Sequence, residues 1–229
     1  MVGIEEGTTM KCWVPRKSST KPPLILVHGF AAEGVTWQFQ VGRLSKEYSV
    51  YVPDLLFFGG STTVHQQRSV TFQSGCLMKL LKKLGVERCA MVGFSYGGMV
   101  AFKMAELYPE LITCLVISGS VVAMTDSINQ SVIKKFGISS SAELLLPTTV
   151  KDQKALLSVA CYKKIWFPTF LHKDFLEVMF NNREERGELL AALVESKKEA
   201  QVPLLNQKIL LLWGNNDEIF NIEAAKQMK

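Results

Sequence analysis

The sequence predicts a doubly wound, mostly parallel α/β sheet with a helical segment inserted ahead of its last strand. Three features point there: short apolar runs alternate with helix-like runs over residues 1–120, the alternation stops over 121–202, and a strand pattern returns within 203–229. Strands separated by amphipathic helices pair in parallel, because each helix carries the chain back to the same end of the sheet.

Strands are expected near 10–14, 24–28, 48–53, 89–93 and 112–118, with helices near 34–46, 69–84 and 97–108. Pro22-Pro23 punctuates the chain before Leu24-Ile25-Leu26-Val27, a continuous apolar run of the kind a strand buried on both faces requires. Pro109 closes the third helix, since the residue before a proline is pushed out of helical backbone. Over 121–202 the helix-like runs are Lys151 to Cys161, Asp174 to Asn181 and Glu184 to Lys198, with loops at Pro147 and Pro168, and this stretch reads as a helical cap. Lys208 to Trp213 is the returning strand, Gly214-Asn215-Asn216-Asp217 is turn chemistry at its end, and Asn221 is an N-cap for the run that follows.

At 229 residues, 48% hydrophobic and 21% charged, the chain has the composition of an ordinary globular domain carrying an insertion. The net charge of +5 comes from residues such as Lys79, Lys82, Lys83 and Arg88, spread over helices as solvated faces. No basic stripe interleaved with aromatics and no zinc-finger or P-loop spacing occurs, which disfavours nucleic-acid binding and gives no reason to expect a metal or cofactor. The five cysteines (12, 76, 89, 114 and 161) form no C-x-x-C pair and read as reduced core residues. The first twenty residues lack the apolar core of a signal peptide, and no run reaches the ~18 apolar residues of a membrane span, so the cytoplasm is the expected location.

The chemistry-bearing motif is Gly93-Phe94-Ser95-Tyr96-Gly97-Gly98, entered from the apolar run Cys89 to Val92 and left through the helix-like run Met99 to Tyr108. Strand, sharp turn and helix in that order form a nucleophile elbow, which lifts a serine clear of its neighbours while glycines let the backbone pass closely. Ser95 is therefore the candidate nucleophile. An acyl-transfer site also needs two fixed donors for the developing oxyanion, and the backbone N–H groups of Tyr96 and Phe30 are the candidates, with Ala31 as a neighbour of the second. His28, just ahead of Phe30, reads as a structural histidine pinning that loop.

Four landmarks in order, His28-Gly29-Phe30, the D-L-x-x-x-G-x-S loop from Asp54 to Ser61, the turn at Ser95, and Leu210 to Asp217, make the chain resemble the α/β-hydrolase superfamily over nearly its whole length. Nearest in flavour are plant hydrolases similar to meta-cleavage-product hydrolases and monoacylglycerol lipases. The resemblance implies an α/β-hydrolase fold in which Asp217 orients a catalytic histidine and Asp54 braces a loop. Some members place the acid after the strand that precedes the cap. Here that strand ends in Ser118-Gly119-Ser120, without a carboxylate, and Asp126 further on is a weaker candidate. The family order is serine, acid, histidine. The histidines of this chain are His28, His65 and His172, all ahead of Asp217, so the resemblance implies a C-terminally shortened form lacking the last strand and helix, with Ile209 to Trp213 as an exposed sheet edge and little activity.

The function implied is a serine hydrolase acting on a small apolar ester or related acyl compound. A C–C bond hydrolase uses the same parts, and a non-catalytic ligand-binding protein of this fold is the alternative from another class. Epoxide hydrolases and haloalkane dehalogenases of this fold attack through a carboxylate, and position 95 is serine. The run Ile165 to Leu171 with Phe175, Met179 and Phe180 reads either as the wall of an acyl pocket or as packing of cap on core. Leu55 to Phe58 reads as pocket wall or as a contact with a membrane surface.

Overall fold

The computed structural model describes residues 1–16, 20–164, 166–195 and 203–228. In chain order the strands are β1 (Val2–Glu5), β2 (Thr8–Met10), β3 (Cys12–Trp13), β4 (Pro23–Val27), β5 (Ser49–Pro53), β6 (Thr62–Thr63), β7 (Cys89–Phe94), β8 (Ile112–Ser118), β9 (Met124–Thr125), β10 (Val194–Glu195) and β11 (Lys208–Leu212). The helices are α1 (Gln38–Leu44), α2 (Val70–Lys83), α3 (Tyr96–Leu107), α4 (Asp126–Phe136), α5 (Ser141–Leu145), α6 (Val150–Ala160), α7 (Thr169–Met179), α8 (Arg183–Leu193) and α9 (Ile222–Gln227). Among these residues no helix is long and apolar enough to cross a membrane.

Six strands form the main sheet in the order β11-β8-β7-β4-β5-β3, parallel except for β3, which runs antiparallel to β5. The order reverses direction at β4, so the ends of β4 and β7 part around a crevice, the usual place for a ligand in an open α/β sheet. Ile25, Val27, Met91, Leu115 and Ile117 enter the main core with Leu77, Leu80 and Leu81 of α2 and Val100 and Met104 of α3. The opposite face carries Leu24, Leu26, Val50 and Val52 against Trp37, Val41 and Leu44. Burial on both faces explains why β4 is apolar at every position after Pro23. At the β11 edge the pattern changes, with Leu210 59% and Leu212 58% exposed.

Between β8 and β11 the described chain supplies α4 to α8. Its two ends meet, because β9 and β10 pair in parallel through Met124–Val194 and Thr125–Glu195. Local chemistry sets the helix limits. A Thr149–Asp152 capping box opens α6, a left-handed Gly137 ends α4, and Asn221 Oδ1 accepts from Ala224 N–H (3.1 Å) at the start of α9.

Several expectations are revised. The helix expected over 34–46 is a 3₁₀ turn, Gly34–Trp37, followed by α1. The helix expected from Glu184 to Lys198 ends at Leu193, where the backbone extends into β10; residues 196–198 of that run, like Ile165 of the aromatic run, lie outside the described residues. Leu55 to Phe58 are at most 4% exposed and belong to the core, so they neither wall the cavity nor meet a membrane. Met179 and Phe180 are likewise core residues.

The helix after the turn lies against β4 at van der Waals limits. A Cβ on Gly97 would sit 2.5 Å from both Val27 O and His28 O, backbone atoms that cannot step aside. A Cβ on Gly42, in the exposed α1, would meet nothing within 4 Å. Gly97→Ala should therefore lower stability by about 1–3 kcal/mol or more, whereas Gly42→Ala should raise it by about 0.5–1 kcal/mol. Urea unfolding midpoints of the two variants check the opposite signs.

Candidate active site

Ser95 occupies the one-residue junction between β7 and α3 at φ 52°, ψ −121°, a conformation that non-glycine residues adopt only under constraint. Its N–H donates to Ser118 O (3.0 Å) and its carbonyl accepts from Gly98 N–H (2.8 Å). Glycines make the turn feasible. A Cβ on Gly93 would fall 2.5 Å from Gly97 O, and one on Gly98 would fall 2.5 Å from Ser120 Cβ. The loop after β4 comes equally close, since a Cβ on Gly29 would lie 3.2 Å from that of Ser95.

That approach places Ser95 and Phe30 on one cavity of about 570 Å³, which Ala31, Gly119 and Asp217 also line. Tyr96 opens α3, so its amide belongs to the first helical turn, where N–H groups have no intrahelical acceptor and the helix dipole favours negative charge. The Asp217 carboxylate is half committed. Its Oδ1 accepts from Ile219 N–H (3.0 Å) and Phe220 N–H (2.9 Å), while Oδ2 lies 3.0 Å from where a Gly119 side chain would begin. The opposite wall is apolar, built by Leu145 of α5, by Leu156, Leu157 and Val159 of α6, and by Phe175 of α7.

Beneath the loop after β4 lies a buried polar network. His28 is fully buried; Leu55 N–H donates to its Nε2 (3.0 Å), so the proton is on Nδ1, which donates to Gly29 O (2.8 Å). Burial pushes its pKa down to about 4, leaving the ring neutral. Asp54 Oδ1 accepts from Gly34 N–H (2.7 Å) and Oδ2 sits 3.3 Å from Lys11 Nζ, which fixes the same loop from its far end. Glu33 accepts from Gly59 N–H (3.1 Å), and burial, with Asp54 nearby, holds its carboxyl above the usual range. Arg186 of α8, wholly buried, donates to Phe57 O (2.8 Å) and Asn181 Oδ1 (3.1 Å) and to Met179 O, and lies 4.4 Å above the Phe58 ring and 4.0 Å from Glu33. Burial lowers its pKa to about 10, so it stays charged at neutral pH.

Of the residues singled out in the sequence, Ser95, Phe30 and Asp217 share the cavity and Tyr96 adjoins it through Ser95. Asp126 stands exposed in the first turn of α4, away from the cavity. No histidine lines the cavity: His28 braces the loop, His65 lies near Glu5 and Phe72, and His172 is buried with Nδ1 on Gln153 Oε1 (2.9 Å). Sequence reasoning missed the α5 and α6 leucines and Arg186. The helical period of 151–161 marks α6, but which side of it meets the cavity depends on the sheet below.

The profile of the family described as "alpha/beta hydrolase fold" matches residues 22–137, just over half of the chain. Among curated proteins, human epoxide hydrolase 4 is 24% identical over 91% of this chain and 63% of its own length, so the chain spans less than two thirds of that relative. Monoacylglycerol lipase abhd6-A of Xenopus laevis is 22% identical over 96% of this chain and 69% of its own. Among solved structures, a candidate lipase from Acinetobacter baumannii AYE superposes with a TM-score of 0.86 at 23% identity, over 99% of this chain and 77% of that one. A meta-cleavage product hydrolase from Pseudomonas fluorescens IP01 gives 0.77 at 19% identity, over 97% and 82%.

The buried His28 makes stability depend on pH with a definite sign. Its folded pKa, about 4, lies below the ordinary 6.5, so the unfolded chain binds the extra proton between those values and stability falls as pH drops through that window. The loss from this group approaches roughly 3 kcal/mol near the lower end. His28→Gln should flatten the dependence of the urea midpoint on pH between 6.5 and 4, the two values that bound the shift.

Proposed function

Because the chain belongs to the alpha/beta hydrolase fold family, we propose that its cavity is a serine-hydrolase site for a small apolar ester or related acyl compound. The observation that carries this reading is Ser95 held at positive φ on the rim of a cavity shared with Phe30 and Asp217. Ser95 Oγ attacks the acyl carbonyl while a base takes its proton and passes it to the alcohol that leaves, and water then releases the acyl group from Ser95 by the same proton relay. The N–H groups of Tyr96 and Phe30 receive the negative charge that develops on the carbonyl oxygen. Asp217, its Oδ1 already occupied, offers Oδ2 to orient a base and stabilise it once protonated. Residues 121–202 act as a cap whose α5 and α6 leucines hold the apolar part of the substrate. A cytoplasmic setting fits the five unpaired cysteines, four of which, Cys12, Cys76, Cys89 and Cys161, have their thiol pKa raised by burial.

Epoxide opening through a carboxylate nucleophile, which the name of the human relative raises, lacks its nucleophile at position 95. One observation favours a second reading. With no histidine on the cavity, nothing among the described residues takes the Ser95 proton, which suits a protein that binds an apolar ligand without turning it over. The two readings separate in the laboratory. On the hydrolase reading a fluorophosphonate labels Ser95 once imidazole supplies the base, Ser95→Ala abolishes the labelling, and the protein with imidazole hydrolyses a short-chain p-nitrophenyl ester faster than imidazole alone. Asp217→Asn should lower that imidazole-dependent rate about tenfold or more, the carboxylate being what orients the ring. Labelling that survives Ser95→Ala removes the assignment of the nucleophile. A rate no higher than that of imidazole without the protein favours the binding protein.

A further inference from the structure

The loop from α6 to α7 and the first turn of α7 display side chains that folding alone does not explain. Tyr162 is 80%, Trp166 83% and Phe170 62% exposed, a concentration of large apolar groups that water-facing surfaces normally avoid. The stretch that carries them is locally basic, with Asp152 and Asp174 at its two ends. Residues 153–173 hold four lysines, 154, 163, 164 and 173, and no aspartate or glutamate. None of the four forms an ion pair among the described residues. Lys154 and Lys164 line a second cavity of about 320 Å³ together with Trp166 and Phe167. Leu157 lines both this cavity and the Ser95 cavity, and Tyr162 lines the latter, so the patch adjoins the mouth of the site.

We propose that this surface docks the protein onto an anionic phospholipid bilayer, with Trp166 and Phe170 entering the interfacial region and the four lysines against headgroup phosphates. Charge complementarity selects the occupant. Uncompensated lysines gain from a negative surface potential, and tryptophan and tyrosine, apolar with one polar edge, settle at headgroup depth. A nucleic acid would also attract the lysines, but it offers no apolar layer for Phe170 and Trp166 and no reason for them to stand beside an apolar cavity. The docking is independent of the ester-hydrolase reading, since binding to vesicles requires no turnover.

The test is sedimentation of the protein with phosphatidylcholine vesicles, with and without about 30 mol% phosphatidylserine. The protein should pellet with the anionic vesicles at low salt and be released at high salt. Lys163→Glu/Lys164→Glu and, separately, Trp166→Ala/Phe170→Ala should each lower the partition coefficient about tenfold or more. Phe39→Ala, at an 83% exposed phenylalanine on α1, should leave it unchanged. Brominated acyl chains should quench emission, and Trp166→Phe should abolish most of the quenching while sedimentation persists. Circular dichroism spectra matching the parent chain keep a loss of binding from being a loss of fold. Equal binding to neutral and anionic vesicles, indifference to both double variants, or retention on single-stranded DNA without vesicle binding would overturn the proposal.

Discussion

The close approach of α3 to the end of β4 is the constraint on which the rest of the site depends. Gly97 has no room for a side chain against Val27 O and His28 O, and Gly93 has none against the backbone of Gly97 and Gly98. With those contacts made, the chain can leave β7 and enter α3 through a single residue, and that residue is forced to positive φ. The same proximity brings the loop after β4 to Ser95. The geometry of the pair is thus set by backbone packing.

A second connection runs through Arg186. A guanidinium taken wholly out of water is costly unless its donors find acceptors, and this one reaches two backbone carbonyls, an amide oxygen and the Glu33 carboxylate, with Phe58 beneath it. Phe57, whose carbonyl it takes, is itself at φ 73°, so the arginine fastens a strained turn. Because Arg186 lies on α8 and Phe57 follows β5, the helical segment is tied to the loop system under Ser95. The loop that carries Phe30 joins the same network through Glu33, which accepts from Gly59 N–H.

The helical segment presents two distinct apolar surfaces. Leucines of α5 and α6 close the Ser95 cavity, while the residues after α6 turn aromatic rings and lysines to the outside.

The sequence by itself determined the alternating strands and helices of the first 120 residues, the turn at Ser95 and the loop position of Asp217. Each depends on local rules: hydrophobic period, the steric freedom of glycine, and asparagine and aspartate in turns. It also carried the structural role of His28, because a histidine ahead of a loop that must aim its amides is worth more as a brace than as a base. Only the tertiary structure decided that Leu55 to Phe58 are core, that α6 faces the cavity, that the aromatic run divides into buried Phe180 and exposed Trp166, and that Arg186 is buried. These follow from contacts between distant parts of the chain, such as Arg186 with Phe57 across 129 positions, and no local pattern records which distant surface a side chain will meet.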